Sequence, residues 1–343
     1  IMPVYDAFLD VKIEIVHARH EAACVFMADA WAQMTGEIGI CLVTAAPGAS
    51  NALGPLYTAR QSESPVLFLT GDSPLAQDGH GAFQELDQVA MTRPVTKLSM
   101  RATDPERLGH DTAKAIRTAM SGRPGPVHVA LPFDMLQADV SGADVPGAQA
   151  SLPQVLEPAQ SDVKSVAEAL AAANAPLVLC GPAMSLTRCG EQLSTLAAAV
   201  DAPVVAMESP RGLKDPSLGD FVKAVASADL VVCLGKPVNF TLGFGSTNVC
   251  LATCKWIVID AEAEERERAQ LNLQDRLSLV IDADPKAAVA ALTEQGSGSV
   301  ARSAWRSEVA GHIAARSYSD SDLSAGDRIT SALLCAAVQR QVE

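Results

Sequence analysis

Short apolar runs alternate with longer amphipathic stretches along residues 13–132 of the chain. Continuous apolar runs of this length are typical of strands buried on both faces of a parallel sheet. The longer stretches carry helix signals; the third has Asp104 as N-cap, Pro105 at the first helical position and Gly122 as a stop signal. The predicted strands are 13–18, 38–45, 65–71 and 125–132, and the predicted helices are 21–35, 46–61 (opened by a glycine turn) and 104–122.

The second half of the chain repeats this alternation after a polar, Gly/Pro-rich stretch, "ADVSGADVPGAQASLPQVLEPAQ" (138–160), that has no hydrophobic periodicity and predicts a linker. Residues 316–343 predict a polar turn, "SYSDSDLSAGD", and a helix, "RITSALLCAAVQRQ". The predicted helices are 162–174, 189–201, 221–228 and 285–295, and the predicted strands are 175–182, 202–208, 229–235, 255–262 and 278–284.

Strand–helix alternation on both sides of the linker predicts an α/β protein with two doubly wound, mainly parallel-sheet domains. The first domain is placed at residues 1–137 and the central domain at 161–315, on either side of the 138–160 linker. A length of 343 residues allows two or three domains, and a composition of 48% apolar but 4% aromatic residues suits helices packed on a parallel sheet.

The charge and cysteine content exclude several classes of protein. A net charge of −14 without a Lys/Arg stripe argues against nucleic acid or an anionic membrane as partner. No apolar run approaches the ~20 residues of a membrane helix, and the start "IMPVYDAFLD" lacks the basic segment of a signal peptide. The 8 cysteines lack zinc spacing, so we expect no metal site among them and predict a reducing, cytoplasmic location.

Three loops follow predicted strands of the first domain, at the sheet edge where open parallel sheets bind ligands: "HARHE" (17–21), "TAAPGASN" (44–51) and "GDSPLAQDGHGAFQELDQ" (71–88). Glu21 is a lone carboxylate followed by Ala22, Ala23 and Cys24. It has two interpretations: a first-turn charge that stabilises the helix dipole, or an acid beside a group that gains or loses a proton.

The segment "RHEAACVFMADAWAQMTGEIGICLVTAAPGASNALGPLYTA" resembles the pyrimidine-binding domain of thiamine diphosphate enzymes, in the acetolactate synthase and benzoylformate decarboxylase group. "GAFQELDQVAMTRPVTKLSMRATDPERL" and "SGRPGPVHVALPFDML" resemble the continuation of that domain in acetolactate synthases, so that the resemblance covers residues 1–137. Ala46 departs from the pattern, because that group often has glycine there.

The resemblance implies a role for each matching residue. Glu21 would protonate or hydrogen-bond N1′ of the thiamine pyrimidine, and burial in an apolar pocket would raise its pKa for this task. Gly48 would permit a close backbone approach or a left-handed turn. For Phe83 a packing role, for Lys97 a solvated surface position and for His20 a packing or hydrogen-bonding role stay open; His80 and Arg211 are weaker candidates. The implied cofactor-binding residues are Pro47, Gly48, Asn51 and Gln84, and the implied substrate residues are Phe83, Lys97 and His20.

The second half resembles the family's central domain more loosely, through "PLVLCGP", "DLVVCLGKPVNFTLGFG" and "IVIDAEAEE". That domain holds FAD, ADP or nothing in different members, and no G-x-G-x-x-G follows a strand here to decide between them. "GKPVNFTLGFG" resembles the oxalyl-CoA decarboxylase and 2-hydroxyacyl-CoA lyase branch.

Two departures lead us to expect a partial chain. The family has a helix and a strand before the turn that "IMPVYDAF" resembles, and it ends in a diphosphate-binding domain with a G-D-G…N signature for Mg²⁺. "TGDSP" (70–74) and "AGDRI" (325–329) do not match that signature. The Mg²⁺ ligands are therefore expected in an absent third domain, of which residues 316–343 would be the linker and first helix.

The leading hypothesis is a thiamine diphosphate-dependent, acetolactate synthase-like enzyme that acts on 2-keto acids, by decarboxylation or C–C bond formation through an enamine. The resemblance implies a homodimer or homotetramer. Two alternatives stay open: a 2-hydroxyacyl-CoA lyase or oxalyl-CoA decarboxylase-like lyase, and a non-catalytic nucleotide-binding or assembly module that lacks the third domain. Glyoxylate carboligases resemble the sequence but lack the glutamate, so Glu21 argues against them.

Overall fold

The computed structural model describes residues 1–296, 302–315 and 329–342, and two parallel sheets organise them. The four-stranded sheet has the order β1-β2-β4-β3, and the five-stranded sheet has the order β6-β5-β7-β8-β9. Every strand pairing is parallel, which confirms the predicted α/β class. The strands are β1 (Gly39–Val43), β2 (Val66–Asp72), β3 (Leu98–Arg101), β4 (Val127–Pro132), β5 (Pro176–Cys180), β6 (Val204–Ala206), β7 (Leu230–Leu234), β8 (Lys255–Ile259) and β9 (Leu277–Ile281).

The α-helices of the described residues fall into two groups along the chain. With the four-stranded sheet lie α1 (Met2–Asp10), α2 (Glu21–Thr35), α3 (Pro47–Asn51), α4 (Leu53–Gln61), α5 (Gln88–Thr92), α6 (Leu108–Met120) and α7 (Phe133–Gln137). Further along the chain come α8 (Gln160–Ala172), α9 (Leu186–Val200), α10 (Phe221–Ser227), α11 (Ala263–Leu273), α12 (Pro285–Gln295), α13 (Ser303–Ala314) and α14 (Ser331–Val342).

Both sheets are covered on both faces, because successive side chains of a strand point to opposite sides. On β2, Val66 and Phe68 join a core with α2 and α4, whereas Leu67 and Leu69 join a second core with α6. The five-stranded sheet divides in the same way, between a cluster built on α10, α11 and α13 and another built on α8, α9 and α12. Each sheet is therefore doubly wound.

Two predicted elements differ in the structure. Residues 13–18 are not a strand: this segment and β1 line a cavity of about 490 Å³ instead of pairing. An apolar run favours burial, but a strand also needs a hydrogen-bonded neighbour. The predicted helix at 46–61 is two helices, α3 and α4, that meet at Ala52.

The sequence patterns also missed several elements. β3 follows "RPVTK" and completes the first sheet, and α1 lies where the resemblance places a turn. α11 and α13 contribute Ala269, Leu273, Trp305 and Val309 to the core of the second sheet. The helix predicted at 328–341 is present as α14, whereas the predicted polar turn at 317–327 lies outside the described residues.

A buried ion cluster joins the two sheet units. Arg123, just before β4, pairs with Glu63 of the first unit and with Asp260, which follows β8. Glu63 also accepts a hydrogen bond from the backbone N–H of Ala183 at 2.7 Å. From α9, Arg188 donates to the carbonyl of Glu63 at 3.0 Å. The carboxyl edge of the second sheet thus meets the amino edge of the first, which leaves the carboxyl edge of the first sheet to the loops described next.

Candidate functional site

Glu21 begins α2 at the carboxyl edge of the first sheet, where the segment 17–20 leads into the helix. Its Oε2 accepts a hydrogen bond from Nδ2 of Asn51 in α3 at 3.0 Å. The pKa of Glu21 is lowered, first by a hydrogen bond to its own backbone N–H and then by Asn51. The expectation of a buried acid with a raised pKa is therefore wrong for this structure: the carboxylate is only partly buried and is held ionised.

His20 is the N-cap of α2, and its ring accepts a hydrogen bond from the first turn of that helix. Nδ1 accepts a hydrogen bond from the backbone N–H of Ala22 at 3.1 Å, which satisfies a donor left unpaired at the helix start. The side chain is exposed. The bond to Ala22 is a hydrogen-bonding role, one of the alternatives that the sequence left open for His20.

The turn after β1 is strained at Ala46, whose φ of 43° and ψ of −88° are rare for a residue with a Cβ. Gly48 N–H donates to the carbonyl of Ala45 at 3.2 Å and closes the turn. Gly48 does not have a positive φ, so of its two expected roles the left-handed turn is excluded, and the close backbone approach stays a prediction. A Cβ on Gly48 would lie 2.9 Å from Cγ2 of Thr44; its lack of a side chain therefore serves packing in this structure.

The loop after β2 is organised by Glu85. Its carboxylate accepts hydrogen bonds from the backbone N–H groups of Gly79, Gly81 and Ala82 at 2.6–2.9 Å, and these bonds lower its pKa. The loop presents Phe83 with 87% of its surface exposed, so the alternative that Phe83 packs into the core is wrong. His80 is also exposed on this loop.

Gln84 connects this loop to the end of β1. It has a positive φ of 59°, and its Oε1 accepts a hydrogen bond from Oγ1 of Thr44 at 3.5 Å. Thr44 directly precedes the turn that carries Pro47 and Gly48. The structure therefore brings Glu21, Asn51, the 44–48 turn and Gln84 to one edge of one sheet.

Gln88 belongs to the same edge and was missed by sequence reasoning. It is 1% exposed, accepts from Ala46 N–H at 3.3 Å and donates from Nε2 to the carbonyl of Gly71 at 2.9 Å. A lone amide in the stretch "ELDQVAM" was the only available signal. Its partners are backbone groups of the turn after β1 and of β2, which a sequence pattern does not reveal.

Lys97 lies at the opposite, amino edge of the sheet, immediately before β3. Its Nζ donates to the carbonyl of Ser121 at 2.6 Å and lies 3.6 Å from Oε1 of Glu262. The lysine is largely buried, and desolvation lowers its pKa. The structure does not bring Lys97 together with Glu21, and the solvated surface position that the sequence left open is wrong.

A second cavity, of about 810 Å³, lies where the two sheet units meet, and Lys97 lines it. Lys236, which follows β7, is 3% exposed there, and burial lowers its pKa to about 8. Arg123 also lines the cavity, and its Nε has no hydrogen-bonding partner. Arg211, a weaker sequence candidate, is exposed and does not line the cavity.

Metal ligands are not grouped in the part of the chain that the structure describes. No set of three or more His, Cys, Asp or Glu side chains lies close enough there to hold an ion. The cysteines are free thiols. Within residues 1–296, 302–315 and 329–342, no helix combines the length and the apolar character needed to span a bilayer.

Two doubly wound parallel-sheet units, with a carboxylate and a turn at the carboxyl edge of the first, place the protein in the α/β class. The family description "Thiamine pyrophosphate enzyme, N-terminal TPP binding domain" matches residues 1–91, and "Thiamine pyrophosphate enzyme, central domain" matches residues 163–292. The chain belongs to the thiamine pyrophosphate enzyme family.

Relatives within the family include several acetolactate synthases. The chain is 35% identical over 253 residues to the catabolic acetolactate synthase of Raoultella terrigena, which covers 69% of this chain and 44% of the relative. It is 37% identical over 210 residues to acetolactate synthase isozyme 3 large subunit of Escherichia coli (strain K12), covering 60% and 36%. It is 29% identical over 262 residues to 2-hydroxyacyl-CoA lyase 1 of Mus musculus, covering 75% and 45%. The chain thus spans less than half the length of each of these relatives.

Proposed function

We propose that this chain forms part of a thiamine diphosphate-dependent, acetolactate synthase-like enzyme acting on 2-keto acids, in which Glu21 holds a proton at N1′ of the pyrimidine. The observation that carries the proposal is the Glu21–Asn51 pair, beside the turn after β1. The acetolactate synthase relatives support the substrate class.

The residues at this edge suit the pyrimidine part of the cofactor. Glu21 is ionised and partly open to solvent, so its carboxylate can accept a hydrogen bond from a ring N–H. A ring placed over the carboxylate would remove water from it and raise its pKa, which favours sharing of the proton. Pro47, Gly48 and Asn51 would border the ring, with Gln84 across the edge, and Phe83 and His20 are the substrate-facing candidates. Bound thiamine diphosphate would supply the carbon nucleophile for the 2-keto acid.

Mg²⁺ and an adenine nucleotide are the other proposed cofactors. Mg²⁺ would accompany the diphosphate, but the described residues offer no ligand cluster for it. An adenine nucleotide, FAD or ADP, would suit the cavity between the sheet units by size, since ligand pockets measure about 300–1,000 Å³. Lys236 is the buried cation that could meet its phosphates, because the terminal nitrogens of Arg123 are paired with Glu63 and Asp260.

A homodimer or homotetramer is supported by an apolar face on α2. Phe26, Met27, Trp31 and Met34 lie on one side of this helix, each 45–68% exposed. An exposed apolar patch of this kind is typical of an interface between proteins. We also propose a cytoplasmic location, supported by the free cysteines. The net charge of −14 supports the absence of a nucleic-acid partner.

The second candidate is a lyase acting on 2-hydroxyacyl-CoA or oxalyl-CoA, which the match to the mouse 2-hydroxyacyl-CoA lyase 1 over 75% of this chain favours. The two activities are separated by assaying the purified full-length protein with Mg²⁺ and thiamine diphosphate. Pyruvate converted to acetolactate supports the first candidate, and cleavage of a 2-hydroxyacyl-CoA thioester supports the second. If calorimetry detects no binding of thiamine diphosphate, both enzymatic candidates are contradicted, and the non-catalytic module is the hypothesis that remains.

A further inference from the structure

The side-chain amide of Gln88 connects the turn after β1 to the last residues of β2. Oε1 accepts from the backbone N–H of Ala46, in the turn after β1, and Nε2 donates to the carbonyl of Gly71, near the end of β2. At 1% exposure the amide is shielded from water, so losing either partner would leave a buried polar group unsatisfied.

The turn that Gln88 contacts is the strained one. Ala46 is the second residue of a four-residue turn closed by Gly48 N–H and the carbonyl of Ala45, and its φ of 43° belongs to a region that glycine adopts readily and alanine does not. Strain of this kind persists only where the surrounding structure holds it. Two side chains bond the backbone of Ala46: Gln88 Oε1 accepts from its N–H at 3.3 Å, and Ser50 Oγ donates to its carbonyl at 2.9 Å. Ser50 belongs to α3 itself, so the Gln88 bond is the one of these two that ties Ala46 to a separate element.

Hydrogen bonds also hold the backbone of α5 around Gln88. Asp87 caps α5 by accepting from Ala90 N–H at 2.9 Å, and Oγ1 of Thr92 donates to the carbonyl of Gln88 at 2.9 Å. Thr92 in turn lies 2.9 Å from Nδ1 of His128, a buried side chain in β4. The amide is therefore fixed relative to the centre of the sheet.

We propose that Gln88 is a positioning residue for Glu21. It fixes the conformation of Ala46, Ala46 sets the start of α3, and α3 carries Asn51 to within 3.0 Å of the Glu21 carboxylate. Gln88 acts through the turn, and its amide bonds to backbone groups on both sides. This inference rests on the proposed function.

The test replaces Gln88 by Met, which keeps the length of the side chain and removes both hydrogen bonds. We expect the exchange of the C2 proton of bound thiamine for deuterium to slow at least tenfold at saturating cofactor. Amide hydrogen exchange in a peptide covering residues 44–52 should rise at least fivefold without cofactor. Gln77→Met, at an exposed position of the same loop, should leave both rates within twofold of the unaltered protein.

A rescue variant separates positioning from general damage. Glycine adopts the positive φ of residue 46 without help, so Ala46→Gly combined with Gln88→Met should recover most of the lost C2 exchange rate. A double variant as slow as Gln88→Met would overturn the inference, as would a Gln88→Met protein with unchanged exchange in residues 44–52. If the unaltered protein binds no thiamine diphosphate, the proposed function fails and the positioning of Glu21 fails with it, even where the 44–52 amides respond.

Discussion

The side-chain amide of Asn51 donates a hydrogen bond to Oε2 of Glu21 at 3.0 Å, across 30 positions of sequence. The bond joins the first residue of α2 to the last residue of α3, so two helix ends are held together at one sheet edge. It also helps to lower the pKa of Glu21, which keeps the group ionised and ready to accept a hydrogen bond.

The first prediction concerns Glu21→Gln. A glutamine retains the shape but cannot accept a proton, so C2 hydrogen–deuterium exchange of bound thiamine should slow by about 10²-fold or more. Glu37→Gln, an exposed carboxylate just beyond the other end of α2, should leave the exchange rate unchanged. An unchanged rate in Glu21→Gln would remove the catalytic role of this residue.

The second prediction concerns Asn51→Leu. Without the amide donor, the Glu21 carboxylate loses a hydrogen bond to its charged form, so its pKa should rise toward the ordinary glutamate value. The rise is measured by NMR titration of carboxyl-labelled glutamate in the protein without cofactor. Asn248→Leu, at an exposed position in the other sheet unit, is the control, and an equal titration in both variants would contradict the prediction.

The third prediction concerns Arg123→Met at the contact between the sheet units. Removing the guanidinium leaves Glu63 and Asp260 buried without a cation, and unfolding free energy should fall by about 3–5 kcal/mol in urea denaturation. Burial raises the pKa of both carboxyls, so each binds its proton more tightly in the folded protein, and stability is lost as pH rises through those values. The variant should therefore lose more stability at pH 8 than at pH 5.

Arg107→Met is the matched control, because Arg107 is exposed and its contact with Asp111 is a surface pair at 3.9 Å. It should change the unfolding free energy by less than about 0.5 kcal/mol. An equal loss of unfolding free energy in Arg123→Met and Arg107→Met would show that the buried cluster stabilises the fold no more than a surface pair does.

The fourth prediction concerns His128, whose pKa burial lowers to about 4. In the unfolded chain the imidazole titrates near 6.5, so between these values the unfolded state binds a proton that the folded state does not. Stability should fall by roughly 3 kcal/mol from this group as pH drops from 7 to 4. His128→Asn should flatten that part of the pH profile in thermal or urea unfolding, and the exposed His17→Asn should not.

The fifth prediction compares two glycines, Gly181 directly after β5 and Gly190 within α9. A Cβ on Gly181 would lie 2.1 Å from the carbonyl oxygen of Gly235, so Gly181→Ala should cost about 3 kcal/mol of unfolding free energy. Gly190 in α9 has nothing within 4 Å of the same position, and Gly190→Ala should gain about 0.5–1 kcal/mol. Equal effects in denaturant titrations would contradict the close approach of the two turns.

The alternation of apolar runs and helix signals was sufficient to predict eight of the nine strands in the described residues, because continuous Val, Leu and Ile runs specify burial on both faces. It predicted a further strand at 13–18 that has no hydrogen-bonded neighbour. It missed β3, whose run "LSMR" mixes apolar and polar residues and is only partly buried. Pairing depends on a partner strand, which local composition does not contain.

The residue pattern was enough to predict the α/β class, the edge at which the first sheet carries its loops, and Glu21 with Asn51 as candidate residues. The folded chain was needed to show that the pKa of Glu21 is lowered, that Ala46 and not Gly48 has the positive φ, and that Gln88 bonds the turn. It also placed Lys97 at the opposite sheet edge. These outcomes depend on contacts between residues tens of positions apart, and their distances and burial exist only once the chain has folded.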